Sequence, residues 1–146
     1  MTHQLAQINV GRLVAPTDSP VVAEFMEALD AINALAERSP GFVWRLQAES
    51  GNATDILTTD DPLFIVNMSV WESVEALRAY VYKTAHVEYL RRRLEWFEKA
   101  VEMHMALWWL PAGEVPSAEE GLRRVALIRE HGATAEAFSF AQAFEA

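Results

Sequence analysis

The run from Phe64 to Leu90, FIVNMSVWESVEALRAYVYKTAHVEYL, changes its periodicity within a few residues. Its first part alternates, which predicts a strand over Phe64–Trp71. Phe64, Val66, Met68 and Val70 then share one face, and Ile65, Asn67, Ser69 and Trp71 share the other. The first face is uniformly apolar. The second sets an amide, a hydroxyl and an indole among apolar groups. Such a surface suits the wall of a small-molecule pocket better than a dry core or a plain solvent face. The helix that follows carries Tyr80 and His86, the best acid–base pair in the chain.

The flanking sequence supplies the remaining elements. Gln4–Val14 reads as a strand, with Ile8 and Val10 on one face and Gln7 and Asn9 on the other. Pro16–Pro20 breaks it. Asp18 or Ser19 is placed to cap a helix with Pro20 in its first turn. Val22, Phe25, Met26, Leu29, Ile32 and Leu35 recur at helical spacing to about Arg38, and Pro40-Gly41 ends that helix. Phe42–Ala48 predicts a second strand, with Phe42, Trp44 and Leu46 on one side and Val43, Arg45 and Gln47 on the other. Glu49–Pro62, rich in Gly, Asn, Thr and Asp, predicts a loop or frayed hairpin.

After Trp71 the helical pattern bends or breaks near Lys83-Thr84, then resumes through Tyr89, Leu90, Leu94 and Phe97. Met103–Leu110 is the fourth strand. Pro116-Ser117 opens a third helix, with Ser117 and Glu120 in capping-box register. Leu122, Val125, Ala126 and Ile128 form its apolar side. The tail AFSFAQAF, with Phe138 and Phe140, either adds a strand or latches onto the body.

Strand–helix–strand thus occurs twice, followed by an extension. This order is the ferredoxin-like split βαβ arrangement of an α+β fold with an antiparallel sheet. One domain spans 1–146, with a core at 4–111 and a C-terminal helical extension at 116–146. Two helices cover one sheet face. The mixed-polarity face, with Asn9, Asn67, Ser69, Trp71 and His104 or Trp108, is expected to lie open. Large aromatics left in water invite association. The expected partner is a second copy: a homodimer with its sheets face to face, enclosing a cavity in each half.

The formal net charge of -9 excludes a phosphate-binding surface, so no nucleic acid is expected. It supports no attraction to anionic membranes, and no apolar run approaches the ~18 residues that span a bilayer. The chain has no cysteine, which removes disulfides and thiolate chemistry and fits a reducing compartment. The opening run MTHQLAQINVGRLVAP lacks signal-peptide character, so a cytoplasmic location is expected. The four histidines, His3, His86, His104 and His131, show no metal-binding spacing, and no metal is expected. A Gly-rich phosphate loop and a GxSxG elbow are both missing, so neither a nucleotide cofactor nor serine hydrolysis is expected. The expectation is a cofactor-independent protein.

The run WESVEALRAY…AHVEYL resembles the dimeric α/β-barrel superfamily, which includes antibiotic-biosynthesis monooxygenases, haem-degrading monooxygenases, stress-responsive barrels and a plant polyketide cyclase. Across SPGFVWRLQ, VNMSVWESVEALRAYVY, RRRLEWF, LWWLPAG and AFSF, the whole chain resembles a bacterial and fungal family of unknown function within it. Different branches imply different chemistry. The cyclase branch has a helix Tyr and a His six residues later, matched by Tyr80 and His86, and implies aldol-type ring closure. The cofactor-free monooxygenases use an Asn and a Trp four apart on the third strand and a later Arg. Asn67 and Trp71 match, with Arg91 a candidate third. The haem-degrading branch matches at Asn9 and His86, but Tyr80 and Tyr82 stand where its helix Trp would be, a departure that weighs against haem.

Each candidate also has a plainer use. A histidine such as His86 titrates near ~6.5 and can take and give a proton, yet a helix-end His also binds carbonyls. Tyr80 is suited to donate to a developing enolate, or to sit in the core with its hydroxyl at the rim. Asn67 and Asn9 need partners that a strand interior rarely supplies, which points to ligand or water. Trp71 and Trp108 suit stacking on a planar substrate as well as packing. Arg45 suits an anionic group or an acidic neighbour. The reading that unites them is an enzyme for a small hydrophobic or aromatic, enolisable or phenolic substrate of polyketide type. His86 and Tyr80 would be catalytic, and Asn67, Asn9, Trp71, Trp108 and Arg45 would bind substrate. The alternatives are a cofactor-independent monooxygenase and a non-catalytic binding or stress-responsive dimer.

Overall fold

The computed structural model describes residues 2–47 and 61–146. Strands β1 (His3–Arg12), β2 (Phe42–Arg45), β3 (Phe64–Trp71) and β4 (Met105–Pro111) form one antiparallel sheet in the order β2-β3-β1-β4. This is the ferredoxin-like order expected of two interleaved strand–helix–strand units. β1 lies between β3 and β4, with Asn9 opposite Asn67 on one side and Met105 on the other. The predicted Glu49–Pro62 loop and the end of the predicted second strand fall largely outside the described residues.

A 3-10 turn, Pro20–Val22, leads into α1 (Ala23–Glu37). Ser19, not Asp18, provides the cap: its side chain accepts from the Val21 amide. Gly41, at φ 85°, turns the chain into β2. A Cβ there would come within 2.5 Å of Ala76 Cβ, so the turn also needs glycine for space.

The helical run after β3 is divided into α2 (Val74–Lys83), α3 (His86–Arg91) and α4 (Arg93–Trp96). The break falls at Thr84, whose backbone is extended. Thr84 Oγ1 donates to the Tyr80 carbonyl at 2.6 Å and accepts from the His86 amide at 3.2 Å. One hydroxyl thus satisfies the end of α2 and the start of α3. α5 (Ala118–His131) is capped by Ser117, which accepts from the Glu120 amide, as the capping-box spacing predicts.

Two expectations need correction. The second strand does not alternate strictly. Phe42 lies opposite Trp71 and Trp44 opposite Val70, with a bulge between them. The extra residue, Val43, moves Phe42 and Trp44 to opposite faces, and Phe42 packs edge-on to Trp71.

The second correction concerns which face is covered. The mixed-polarity face lies beneath α1 and α2, where Leu5, Trp71 and Leu107 pack with Ala36, Val74, Leu77 and Tyr80. The uniformly apolar face carries α5, whose Val125 and Ile128 join Ile8, Val66, Met68 and Trp108 in one buried cluster. Gly121 brings α5 close, since a Cβ there would stand 2.7 Å from Ile8 Cδ1 and from Met68 Sδ. The mixed-polarity face that was expected to lie open is therefore covered by the chain's own α1 and α2, and the C-terminal extension covers the opposite face.

The tail latches. Phe138 exchanges both backbone hydrogen bonds with Leu107, at 2.8 and 2.9 Å, on the outer side of β4. Trp109 Nε1 donates to the Phe144 carbonyl at 2.7 Å. Among the described residues, no helix is long and apolar enough to cross a membrane.

Candidate functional site

Between the mixed-polarity sheet face and the helices lies a cavity of about 420 Å³. Its walls include Asn9 and Asn67 from the sheet, Tyr80, His86 and Arg93 from the helices, and Phe140 from the tail. Apolar side chains such as Phe25, Leu29, Ile32 and Trp96 make up much of the rest.

The sheet wall is an amide network. Gln7 Nε2 donates to Asn67 Oδ1 and to Ser69 Oγ, both at 2.8 Å. Asn9 Nδ2 donates to Gln7 Oε1 and Asn67 Oδ1, both at 3.2 Å. The Trp71 indole donates to Ser69 Oγ at 2.8 Å. Cross-strand pairing places these groups together, because Gln7 faces Ser69 and Asn9 faces Asn67. The Asn67 Oδ1 therefore accepts twice, while its NH₂ group has no acceptor among the described residues. Asn67 is also exposed, although it is flanked by buried neighbours. Its donors are available to a molecule in the cavity.

Tyr80 and His86 lie together across the break, with ring centroids 4.9 Å apart. Tyr80 stacks on Trp71 at 5.1 Å, and its hydroxyl donates to the Ile32 carbonyl at 3.3 Å. Burial pushes its pKa up to about 12, against a smaller opposing effect of Arg45, so the phenol stays protonated. His86 Nδ1 lies 3.2 Å from the Val81 carbonyl. A carbonyl only accepts, so Nδ1 carries the proton and the neutral ring presents Nε2 as a lone-pair acceptor. Burial lowers the His86 pKa from its ordinary value, with the Val81 carbonyl opposing, and this favours the neutral base form.

Of the residues expected from the sequence, His86, Tyr80, Asn67 and Asn9 all line this cavity. Four others, Trp71, Trp108, Arg45 and Arg91, do not. Trp71 is fully buried and supports Tyr80 from behind. Trp108 lies on the opposite sheet face, under the Arg124 guanidinium. Strand parity puts Met105, Leu107 and Trp109 on the cavity side instead. Arg45 is mostly covered and pairs with Glu37 at 2.8 Å, so its charge is already matched. Arg91 is exposed and paired with Glu88 at 2.7 Å, whereas Arg93 reaches the cavity.

Sequence reasoning also missed Gln7 and Phe140. Gln7 had a usable signal, its shared parity with Asn9 on β1. Phe140 had none, because the course of the tail is set by the Phe138 bridge. Among the described residues, no three His, Asp or Glu side chains come together to hold a metal.

The fold and site define an α+β, ferredoxin-like protein with a cavity between its sheet and helices. The chain belongs to a family described as a domain of unknown function (DUF3291), whose family model matches residues 4–146. No curated protein gives a match. Among solved structures, SnoaB, a cofactor-independent oxygenase from Streptomyces nogalater, is similar at 16% identity and a TM-score of 0.51, covering 78% of this chain and 97% of its own. A Nitrosomonas europaea protein, provisionally named an antibiotic biosynthesis monooxygenase, is similar at 18% identity and a TM-score of 0.51, covering 80% and 97%. A Shewanella oneidensis protein has 13% identity and a TM-score of 0.55, covering 75% and 93%. At these identities the likeness establishes the shared fold.

Proposed function

We propose that this protein is a cofactor-independent enzyme that removes a proton from an enolisable or phenolic small molecule held in the cavity. The observation that carries this reading is the His86 hydrogen bond to the Val81 carbonyl. It fixes the tautomer so that Nε2 is the free base of a cavity-lining ring. Nε2 takes the proton from carbon or phenolic oxygen, and the electron pair left behind moves onto the conjugated oxygen. The free N–H groups of Asn67 donate to that oxygen, which is where added hydrogen bonds lower the barrier most. Tyr80 holds the imidazole from the side and keeps its own proton. Aldol-type ring closure or isomerisation then returns a proton through the imidazolium.

The fold likeness to a cofactor-independent oxygenase fits the same first step. The Asn–Trp–Arg set of that branch is not assembled in the cavity, however. Asn67 faces it, Trp71 stands behind Tyr80, and Arg91 lies outside. This favours proton transfer without oxygen insertion.

The test is hydrogen–deuterium exchange at the methyl group of 2-acetylnaphthalene, followed by proton NMR in D₂O. The protein should accelerate exchange, and His86→Ala should return the rate to background while leaving the circular dichroism spectrum intact. Exchange that persists undiminished in His86→Ala rejects His86 as the base. Oxygen uptake with an anthrone would move the assignment to the monooxygenase reading.

A further inference from the structure

One wall of the cavity holds a cation with no counter-ion among the described residues. Arg93 lines the cavity. Its guanidinium stacks over the Phe97 ring at 4.6 Å, and Nη2 donates to the Val10 carbonyl at 3.2 Å. No carboxylate pairs with it among the described residues. Its neighbours in the basic run are matched: Arg91 with Glu88, and Arg92 with Glu24 and Glu95. Glu98, the nearest acidic residue in sequence beyond Phe97, is engaged by Arg12. His104 also lines the cavity, and burial, then Arg93 and Arg129, lower its pKa, which favours the neutral ring; an imidazole is in any case no counter-ion for Arg93.

Room for this guanidinium is built into the sheet. Gly11 follows Gln7 and Asn9 on the cavity face of β1, and it has no side chain there. A Cβ at Gly11 would lie 2.7 Å from Arg93 Nη2 and 2.7 Å from Phe97 Cδ1. The arginine occupies the place that a β1 side chain would otherwise fill. Only one of its five N–H groups has a described protein acceptor, and a partly buried guanidinium with free donors is matched best by a planar, bidentate anion.

We infer that Arg93 is the anchor for a carboxylate on the substrate, so that the ligand class is an aromatic or apolar carboxylic acid. Gly11 lies two residues from Asn9, a separation of about 7 Å along a strand. The Arg93 guanidinium, seated at the Gly11 side-chain position, is therefore offset by about 7 Å along β1 from the Asn9–Asn67 pair, a spacing that suits an aromatic ring with a carboxylate at one end and a reacting carbonyl at the other. The Phe25, Trp96 and Phe97 side chains supply the apolar surroundings for the ring between them. The link to the reacting carbonyl rests on the function proposed above, whereas the anion site itself does not.

The experiment is isothermal titration calorimetry of the full chain with 2-naphthoate and with the neutral, near-isosteric 2-naphthamide. Wild type should prefer the carboxylate by at least about tenfold, the usual order for one charge-assisted bidentate pair. Arg93→Gln should remove the preference and leave naphthamide affinity in place. Arg93→Lys, which keeps the charge and loses the planar fork, should retain part of it and serves if the Gln variant does not fold. Arg91→Gln removes the same charge outside the cavity and should leave the preference unchanged. Three results would overturn the inference: no preference in wild type, no naphthoate binding at millimolar concentration, or equal losses in Arg91→Gln and Arg93→Gln. Because titration reads binding and not proton exchange, failure of His86 as the base would leave this outcome standing.

Discussion

Asn67 and Met68 are adjacent in the chain and belong to opposite worlds. Met68 is fully buried beneath α5, with Gly121 close enough that a Cβ there would touch its sulfur. Asn67 lies on the other side of the same strand, exposed within a cavity. Its carbonyl is held by two amides, and its NH₂ has no acceptor among the described residues. The Met68 face is specified by packing within one buried apolar cluster. The Asn67 face is specified by hydrogen bonds among side chains, and it leaves space. One sheet thus carries a stability face and a chemistry face, separated only by the period-two alternation of strands.

Substitutions should separate the two. Trp108→Ala removes the largest side chain of the dry face and should cost about 3–5 kcal/mol, read as a large drop in Tm or in denaturant midpoint. Gly121→Ala pushes a methyl group toward Ile8 and Met68 and should cost about 1–3 kcal/mol by the same measurement. On the other face, Asn67→Ala should change stability by about 1 kcal/mol or less, since water can replace an exposed amide. The same substitution should slow ketone proton exchange by about 10²-fold or more if its donors meet the developing oxyanion. A stability loss as large as that of Trp108→Ala would show that both faces are structural.

The smallest expected effect is a pH dependence that belongs to the cavity face alone. Burial lowers the pKa of folded His86 below its ordinary value of 6.5, so the unfolded chain binds the extra proton more readily. Its contribution to stability is present above that ordinary value and is lost as pH falls through the folded pKa. Lowered His104 acts in the same direction. Thermal melts from pH 7.5 to 5 should show declining Tm, and His86→Gln should flatten part of the decline. An unchanged slope in His86→Gln would assign the dependence to other groups.

Local chemistry made much of this legible in the sequence. Alternation marked β1 and β3, the Ser117–Glu120 spacing marked the start of α5, and Lys83-Thr84 marked the helix break that sets Tyr80 beside His86. What escaped depends on contacts far apart in the chain. Nothing local says which face of the sheet α5 will choose, and the mixed-polarity face was expected to be the open one for that reason. The β4 residues are apolar on both faces, so Trp108 had no marker of its side. A single inserted residue at Val43 reversed Phe42 against Trp44, and bulges leave little trace in composition. Arg91 and Arg93 are indistinguishable as letters. Helix phase, together with the missing side chain at Gly11, decides which one enters the cavity.

The pairing of Phe138 with Leu107 has a bearing on how this molecule meets others. A sheet is vulnerable where its outermost strands offer unpaired backbone to a neighbour. The tail takes up that position on β4 at a single bridge, Leu107 with Phe138. At the opposite margin, β2 is only four residues long, bulged, and ends in Arg45. The described strands therefore present little continuous template for strand addition. That limits the runaway pairing to which flat, apolar sheets are prone.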